Sequence, residues 1–204
     1  MAVLDVNPTR MELNKLKDRL LTARRGHKLL KDKRDGLMRK FLETAKKTAK
    51  FRIKVEKDIL NANWHFEMAR AQTSNQVVGS ALLIPRQEAT VKVSTSNIMG
   101  VSTPSFSLKR KFNPSENISY APSQNSIYLD EAINLYDSIL LDLVKLAEQE
   151  KTILILADEI QQTRRKVNAL EHMIIPNYQD TIRFIALKLD ENERSNIARL
   201  SRAK

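Results

Sequence analysis

These 204 residues contain no cysteine, four glycines and only 5% aromatic residues. The first absence excludes disulfides, thiolate metal sites and cysteine nucleophiles, and fits a reducing compartment. So little glycine and so few aromatics leave scant material for tight turns or a wide globular core. No proline lies between Pro8 and Pro85, so nothing in that stretch forbids a continuous helix. The longest purely apolar run, Ile153 to Ala157, falls far short of the roughly 20 residues needed to cross a bilayer. Met1 to Asp5 offers no basic flank ahead of an apolar core, so no secretory signal is expected. A soluble, intracellular chain follows as the expectation.

What the sequence does contain is heptad-like spacing at both ends. Leu13, Leu16, Leu20, Ala23, His27, Leu30, Arg34, Leu37 and Phe41 follow one another at steps of three and four. Ile139, Leu143, Leu146, Ile153, Ile160, Val167, Ile174 and Tyr178 form a similar stripe. A repeat near 3.5 residues keeps an apolar seam turned toward a partner helix, and the simplest partner for each stretch is the other. The predicted fold is all-α: two long antiparallel helices in an extended coiled coil, with a short β-hairpin and loop region at the turn end. The expected divisions are a helix over 1–76, a hairpin and loop region over 77–126, and a helix over 127–204, together one elongated domain.

Local signals refine this. Thr9 and Glu12 match a capping box, so the first helix is expected from about residue 9 to 76. The four-four step at 37–41–45 reads as a stutter, and the stripe then continues through Thr48, Val55, Ile59, Ala62, Phe66 and Ala69. Ala89 to Thr95 alternates as a half-exposed strand does. Asn97 to Gly100 is expected to turn, Val101 to Leu108 to return, and 109–126 to form a loop. The second long helix is expected from near Ser126, with Asp130 and Glu131 favourable in its first turns. Pro176, lacking an N–H, is expected to kink it near Met173 to Ile175.

Charge is uneven within the net +11. Residues 1–70 hold 19 Lys/Arg against 9 Asp/Glu, a net +10, and residues 127–204 hold 11 against 13, a net −2. Complementary flanks suit an intramolecular coiled coil, but the excess asks for an acidic partner surface: nucleic acid, anionic lipid or protein. The basic runs include Arg24, Arg25, Lys28 and Lys31. Phosphate neutralisation needs only clustered cations; against it, aromatics for base stacking are missing and the cations lie on the coiled coil itself. A solvated helix face meeting protein carboxylates is the plainer alternative.

No catalytic constellation is evident. His27, His65 and His172 are dispersed and lack carboxylates at ligand spacing, so no metal or cofactor is expected. His27 and Arg34 fall on the seam, where such residues set register; with flush termini, His172 would lie level with His27. Asp158–Glu159 and Glu148/Glu150 read as solvated acidic pairs rather than acid–base groups. Trp64, Phe66 and Tyr136 are either seam packing or a docking patch for another protein.

Particular residues also carry a family likeness. Asn7 to Arg10, Leu13 to Leu16, and Ala23 to Leu37 (ARRGHKLLKDKRDGL) resemble the opening of the D subunit of V-type and A-type ATPases. Thr163 to Glu171 (TRRKVNALE), Ile175–Pro176, Thr181 to Ile185 and Leu189 to Arg194 resemble that family's closing signature. The resemblance implies a non-catalytic central rotor shaft, without nucleotide or cofactor. It would pass torque between ATP hydrolysis in a hexamer of A and B subunits and ion translocation by a membrane ring. Implied partners are the A and B subunits, the F subunit and the membrane-ring adaptor subunit, with no nucleic acid and no direct membrane span. The location would be cytoplasmic and peripheral to the membrane. Hexamer contacts are expected from Arg10, Arg24, Arg25, Lys28, Lys31, Arg194, Arg199 and Arg202. Register within the helix pair is expected from His27, Leu30, Arg34, Leu37, Asn168, Leu170, Glu171 and Pro176. Partner docking is expected at Trp64, Phe66 and Tyr136. A basic coiled-coil scaffold, or a nucleic-acid-binding helical protein, is the competing class.

Overall fold

The structure is a computed structural model and describes residues 6–82, 89–110 and 127–202. Of the loop expected over 109–126, residues 109 and 110 belong to the second strand; its remainder, the helix start at Ser126 and the first five residues lie outside the described residues. In chain order, α1 spans Arg10–Gln72, α2 Asn75–Ala81, β1 Ala89–Ile98, β2 Val101–Arg110, α3 Ile127–Ala169 and α4 Ile175–Arg202; a π turn, Leu170–Ile174, joins α3 to α4. The fold is a pair of long antiparallel helices, α1 against α3 and α4, plus a two-stranded hairpin. By internal contacts the chain divides into two units, Met1–Arg39 with Asp158–Lys204, and Lys40–Ala157.

In the first unit, α1 begins with half of the anticipated capping box. The Glu12 N–H donates to Thr9 Oγ1 at 3.2 Å. The reciprocal bond does not form: the Thr9 N–H donates to the Asn7 carbonyl, and the Glu12 carboxylate lies 3.6 Å from Lys15. The antiparallel sense shows in the cross-helix partners, which fall in number as α1 rises. Arg10 pairs with Glu193, His27 with Glu171 and Lys33 with Glu159. Leu16 and Leu37 are buried on α1, and Ile160, Val167 and Ile185 on the opposite strip. Each such side chain contributes about 1.5–3 kcal/mol through removal from water. Thr163 and Thr181 are buried among them, the Thr181 hydroxyl donating to the Asn177 carbonyl at 2.7 Å.

Pro176 does not end the helix. A proline here lacks the N–H and its ring would strike the carbonyl of His172 in a regular α-helix. The backbone answers by widening: the Ile175 N–H donates to Leu170 O, five residues back. At the place where a disturbance was expected, the backbone forms a π turn. Glu171 to Ile174 are all exposed there, which removes Ile174 from the seam on which its spacing had placed it.

In the second unit, Val55, Ala62 and Ile139 form a buried cluster with Phe51, Ile59, Leu135 and Leu146 packed against it. Ala69, Val78 and Leu129 form another, flanked by Phe66, Tyr128 and Ile133. Thr48 is buried, and its hydroxyl reaches Gln149 Oε1 at 3.1 Å across the pair. Leu143, expected in the seam, is 39% exposed, whereas Thr152 and Leu156 are buried. The first helix ends at Gln72 rather than near residue 76. Ser74 is extended, with φ −65° and ψ 145°, and restarts the chain as α2, which sets Val78 against Ala69 and Leu129.

The hairpin is antiparallel, with Ala89 opposite Arg110 and Ile98 opposite Val101. Its loop is two residues, Met99 and Gly100, at φ 53° and 82°, the positive pair that a type I′ turn demands. The Gly100 N–H donates to Asn97 Oδ1 at 2.8 Å. Both strands run further than their alternation indicated. A hairpin alone is marginal in water, and this one is tied to α3: the Phe106 N–H donates to Glu148 Oε2 at 2.8 Å.

Candidate functional site

Among the described residues, no group of three or more His, Cys, Asp or Glu is arranged to hold a metal ion. No helix among them is long and apolar enough to cross a membrane. The chemistry on offer is that of surfaces, and each unit presents its own.

The first unit carries the cations for which partner contacts were expected. Arg24, Arg25, Lys28 and Lys31 are exposed on α1, and none pairs with a carboxylate among the described residues. Arg10 bonds to Glu193 across the pair, and these two line an open cleft with Leu13, Asn14, Ala186, Leu189 and Asp190. Arg194 stays on its own helix, 3.3 Å from Asp190. Nearby, the Glu191 carboxyl is held below the usual carboxylate range by a hydrogen bond from Lys188. Arg199 and Arg202 occupy the last turn of α4, where cations complement the negative end of the helix dipole.

The residues expected to set register are only partly brought together. His27 Nε2 lies 3.4 Å from Glu171 Oε2, so the imidazole meets Glu171 while His172 is exposed beside it. Leu30 and Leu170 are half-buried and Leu37 is fully buried, but Asn168 is exposed and Pro176 half-buried. Arg34 stays on its own helix, donating from Nε and Nη2 to Oδ1 of the adjacent Asp35 at 2.9 and 2.8 Å.

The second unit carries aromatic and apolar surface. Trp64 is 51% exposed and stands edge-on to His65, ring centroids 4.9 Å apart, and to Tyr128 at 6.2 Å. His65 Nδ1 is buried and 2.9 Å from Glu131 Oε2, but out of line for a hydrogen bond. Tyr136 is part-exposed and donates to Asn63 Oδ1. Phe66 is seam packing, set against the cluster of Ala69, Val78 and Leu129. Ile53, Leu60, Trp64 and Met68 are all exposed at steps of seven, four and four, a second apolar stripe on α1 away from the seam. Searching the helix for two apolar periodicities instead of one would have found it. Glu150, read as a solvated acid, lies 3.5 Å from Arg52 across the pair. The Arg52 guanidinium is held above its ordinary value by its hydrogen bond to Glu56 and by the charge of Glu150.

Two antiparallel helices with charged and apolar faces suit many assemblies, so comparison with known proteins is what decides among them. The family model for the ATP synthase D subunit matches residues 12–204. The chain belongs to the ATP synthase D-subunit family. Among curated members, the V-type ATP synthase D subunit of Clostridioides difficile (strain 630) is 47% identical over 204 residues, covering 100% of this chain and 92% of that protein. The protein of the same name from Thermoanaerobacter sp. (strain X514) is 45% identical over 205 residues, 100% of this chain and 97% of that one. That from Clostridium botulinum (strain Langeland) is 48% identical over 203 residues, 98% and 94% respectively. The D-subunit match spans both units.

Proposed function

We propose that this D-subunit family member is the non-catalytic central rotor shaft of a V-type ATPase, carrying torque between ATP hydrolysis in the A/B hexamer and ion translocation by the membrane ring. The observation that carries the proposal is the family match over residues 12–204. The helix pairs support it: a shaft must resist twisting, and a helix pair with cross-helix contacts at successive levels does so better than a single helix. In this role the chain turns over no substrate. Arg10, Arg24, Arg25, Lys28, Lys31, Arg194, Arg199 and Arg202 meet the surrounding A and B subunits. Trp64 and Tyr136, with the apolar stripe beside them, dock the F subunit, and the membrane-ring adaptor subunit takes the shaft's far end. In this role the chain works in the cytoplasm, peripheral to the membrane.

The test is native co-purification of the tagged full-length chain from its own cells. Stoichiometric recovery with A, B and F subunits, and loss of ion-coupled ATP hydrolysis on its depletion, is the expected result. A free chain bound only to nucleic acid would sink the proposal.

A further inference from the structure

In the first unit the free cations are unevenly placed around the helix pair. The Lys33–Glu159 bridge, Nζ to Oε1 at 2.9 Å, marks one flank of the helix pair. At about 100° per residue, Lys31, Lys28, Arg24 and Lys17, standing two, five, nine and sixteen residues before Lys33, all fall on the opposite side of α1. Arg164, five residues beyond Glu159, likewise falls on the opposite side of α3 from the bridge. All five are exposed, and among the described residues none has a carboxylate partner. The flank of the bridge is different: there Lys33 meets Glu159 and Lys15 meets Glu12, leaving Arg19 and Lys166 as exposed unpaired cations, with Arg25, eight residues before Lys33, exposed at its outer edge. The level of Arg164 is fixed too. The His27–Glu171 and Lys33–Glu159 contacts bracket it, putting it alongside Lys28 and Lys31.

We propose that Lys28, Lys31 and Arg164 form the centre of a single cationic face, shared between α1 and α3, that binds a carboxylate-rich protein surface. This rests on the rotor-shaft proposal and deepens it. Arg164 becomes part of the contact, and the centre of the contact is assigned to one side of the helix pair. A protein is favoured over nucleic acid by what shares the face. Residues 9–40 contain no Phe, Tyr or Trp on which a base could stack, and Leu21 and Met38, both part-exposed, flank the cations as apolar rim. Like charges gathered without internal partners repel one another, and an acidic surface relieves that repulsion while steering encounter.

The experiment uses the full-length chain with two double reversals that change formal charge equally. Lys28→Glu/Arg164→Glu strikes the face; Arg19→Glu/Lys166→Glu strikes the opposite flank. Equal melting curves verify folding, with Lys28→Gln/Arg164→Gln replacing the first variant if it melts early. Assembly with purified A and B subunits is titrated at several salt concentrations, and binding to poly-glutamate is measured alongside. The face variant should lose at least tenfold in both assays and flatten the salt dependence, while the flank variant stays within twofold. Equal losses would show that net charge alone matters and overturn the proposal, as would no loss in either. Tighter binding to duplex DNA than to poly-glutamate, abolished by the face variant, would also overturn it. A wild-type chain that ignores A and B but binds poly-glutamate through this face would refute the shaft role while leaving the face intact.

Discussion

The backbone N–H of Ile175 donates to the carbonyl of Leu170, one residue further back than in an α-helix, and Pro176 follows directly. The widened turn relieves the clash that the proline ring would make with the carbonyl of His172. Replacing Pro176 by alanine restores a donor and removes the ring. The Pro176→Ala helix should close to ordinary α geometry, its new amide protected from hydrogen exchange, with stability raised by about 1 kcal/mol or more. An unprotected amide at that position would show that neighbouring packing, not proline, imposes the π turn.

Leu156 is fully buried in the second unit while Leu143 is 39% exposed, although spacing had given the seam to Leu143. Leu156→Ala should cost about 2–4 kcal/mol through lost transfer energy and a residual cavity, and Leu143→Ala less than about 1 kcal/mol. Urea unfolding of the two variants separates them; equal costs would contradict the observed packing.

Glu148 accepts a backbone N–H from the hairpin, a bond to a charged acceptor worth about 1.5–3 kcal/mol. Glu148→Ala should raise amide exchange across 101–108 while leaving the exchange of Val55 and Ala62 near wild type. Unchanged hairpin exchange would mean that apolar packing alone secures it.

The Glu43 carboxyl sits below its ordinary value of 4.5 because Lys47 and then Lys40 donate hydrogen bonds to it. A depressed folded value means that its contribution is present above the unfolded glutamate value and disappears as pH falls through the lower folded one. In an NMR-monitored acid titration, Lys47→Ala should move the Glu43 midpoint upward. No movement would assign the shift to the wrong partner.

How far these features could be read from sequence depended on how local their causes are. The α1 seam was legible because leucines at steps of three and four identify it without help. The opposite seam was legible in part: Ile139, Ile160 and Val167 are buried as their spacing indicated, whereas Thr152, Thr163 and Thr181 also occupy buried positions and count as polar in a hydropathy pattern. Their hydroxyls can be satisfied by their own helix, as Thr152 does at the Glu148 carbonyl, 2.8 Å away. The hairpin's alternation was visible, but Glu148 was not, since its partner is a backbone amide 42 residues away. The cations were plain in the sequence. Which of them share a side emerged only once Lys33 met Glu159.

Trp64 is the chain's one tryptophan, half in solvent and edge-on to His65 and Tyr128. Tryptophan emission, excited at wavelengths that tyrosine does not absorb, therefore originates at a single known place, beside the second apolar stripe. A partner that settled there would shift that emission to the blue. One that settled on the cationic face would leave it unchanged, so the two surfaces report separately without any label.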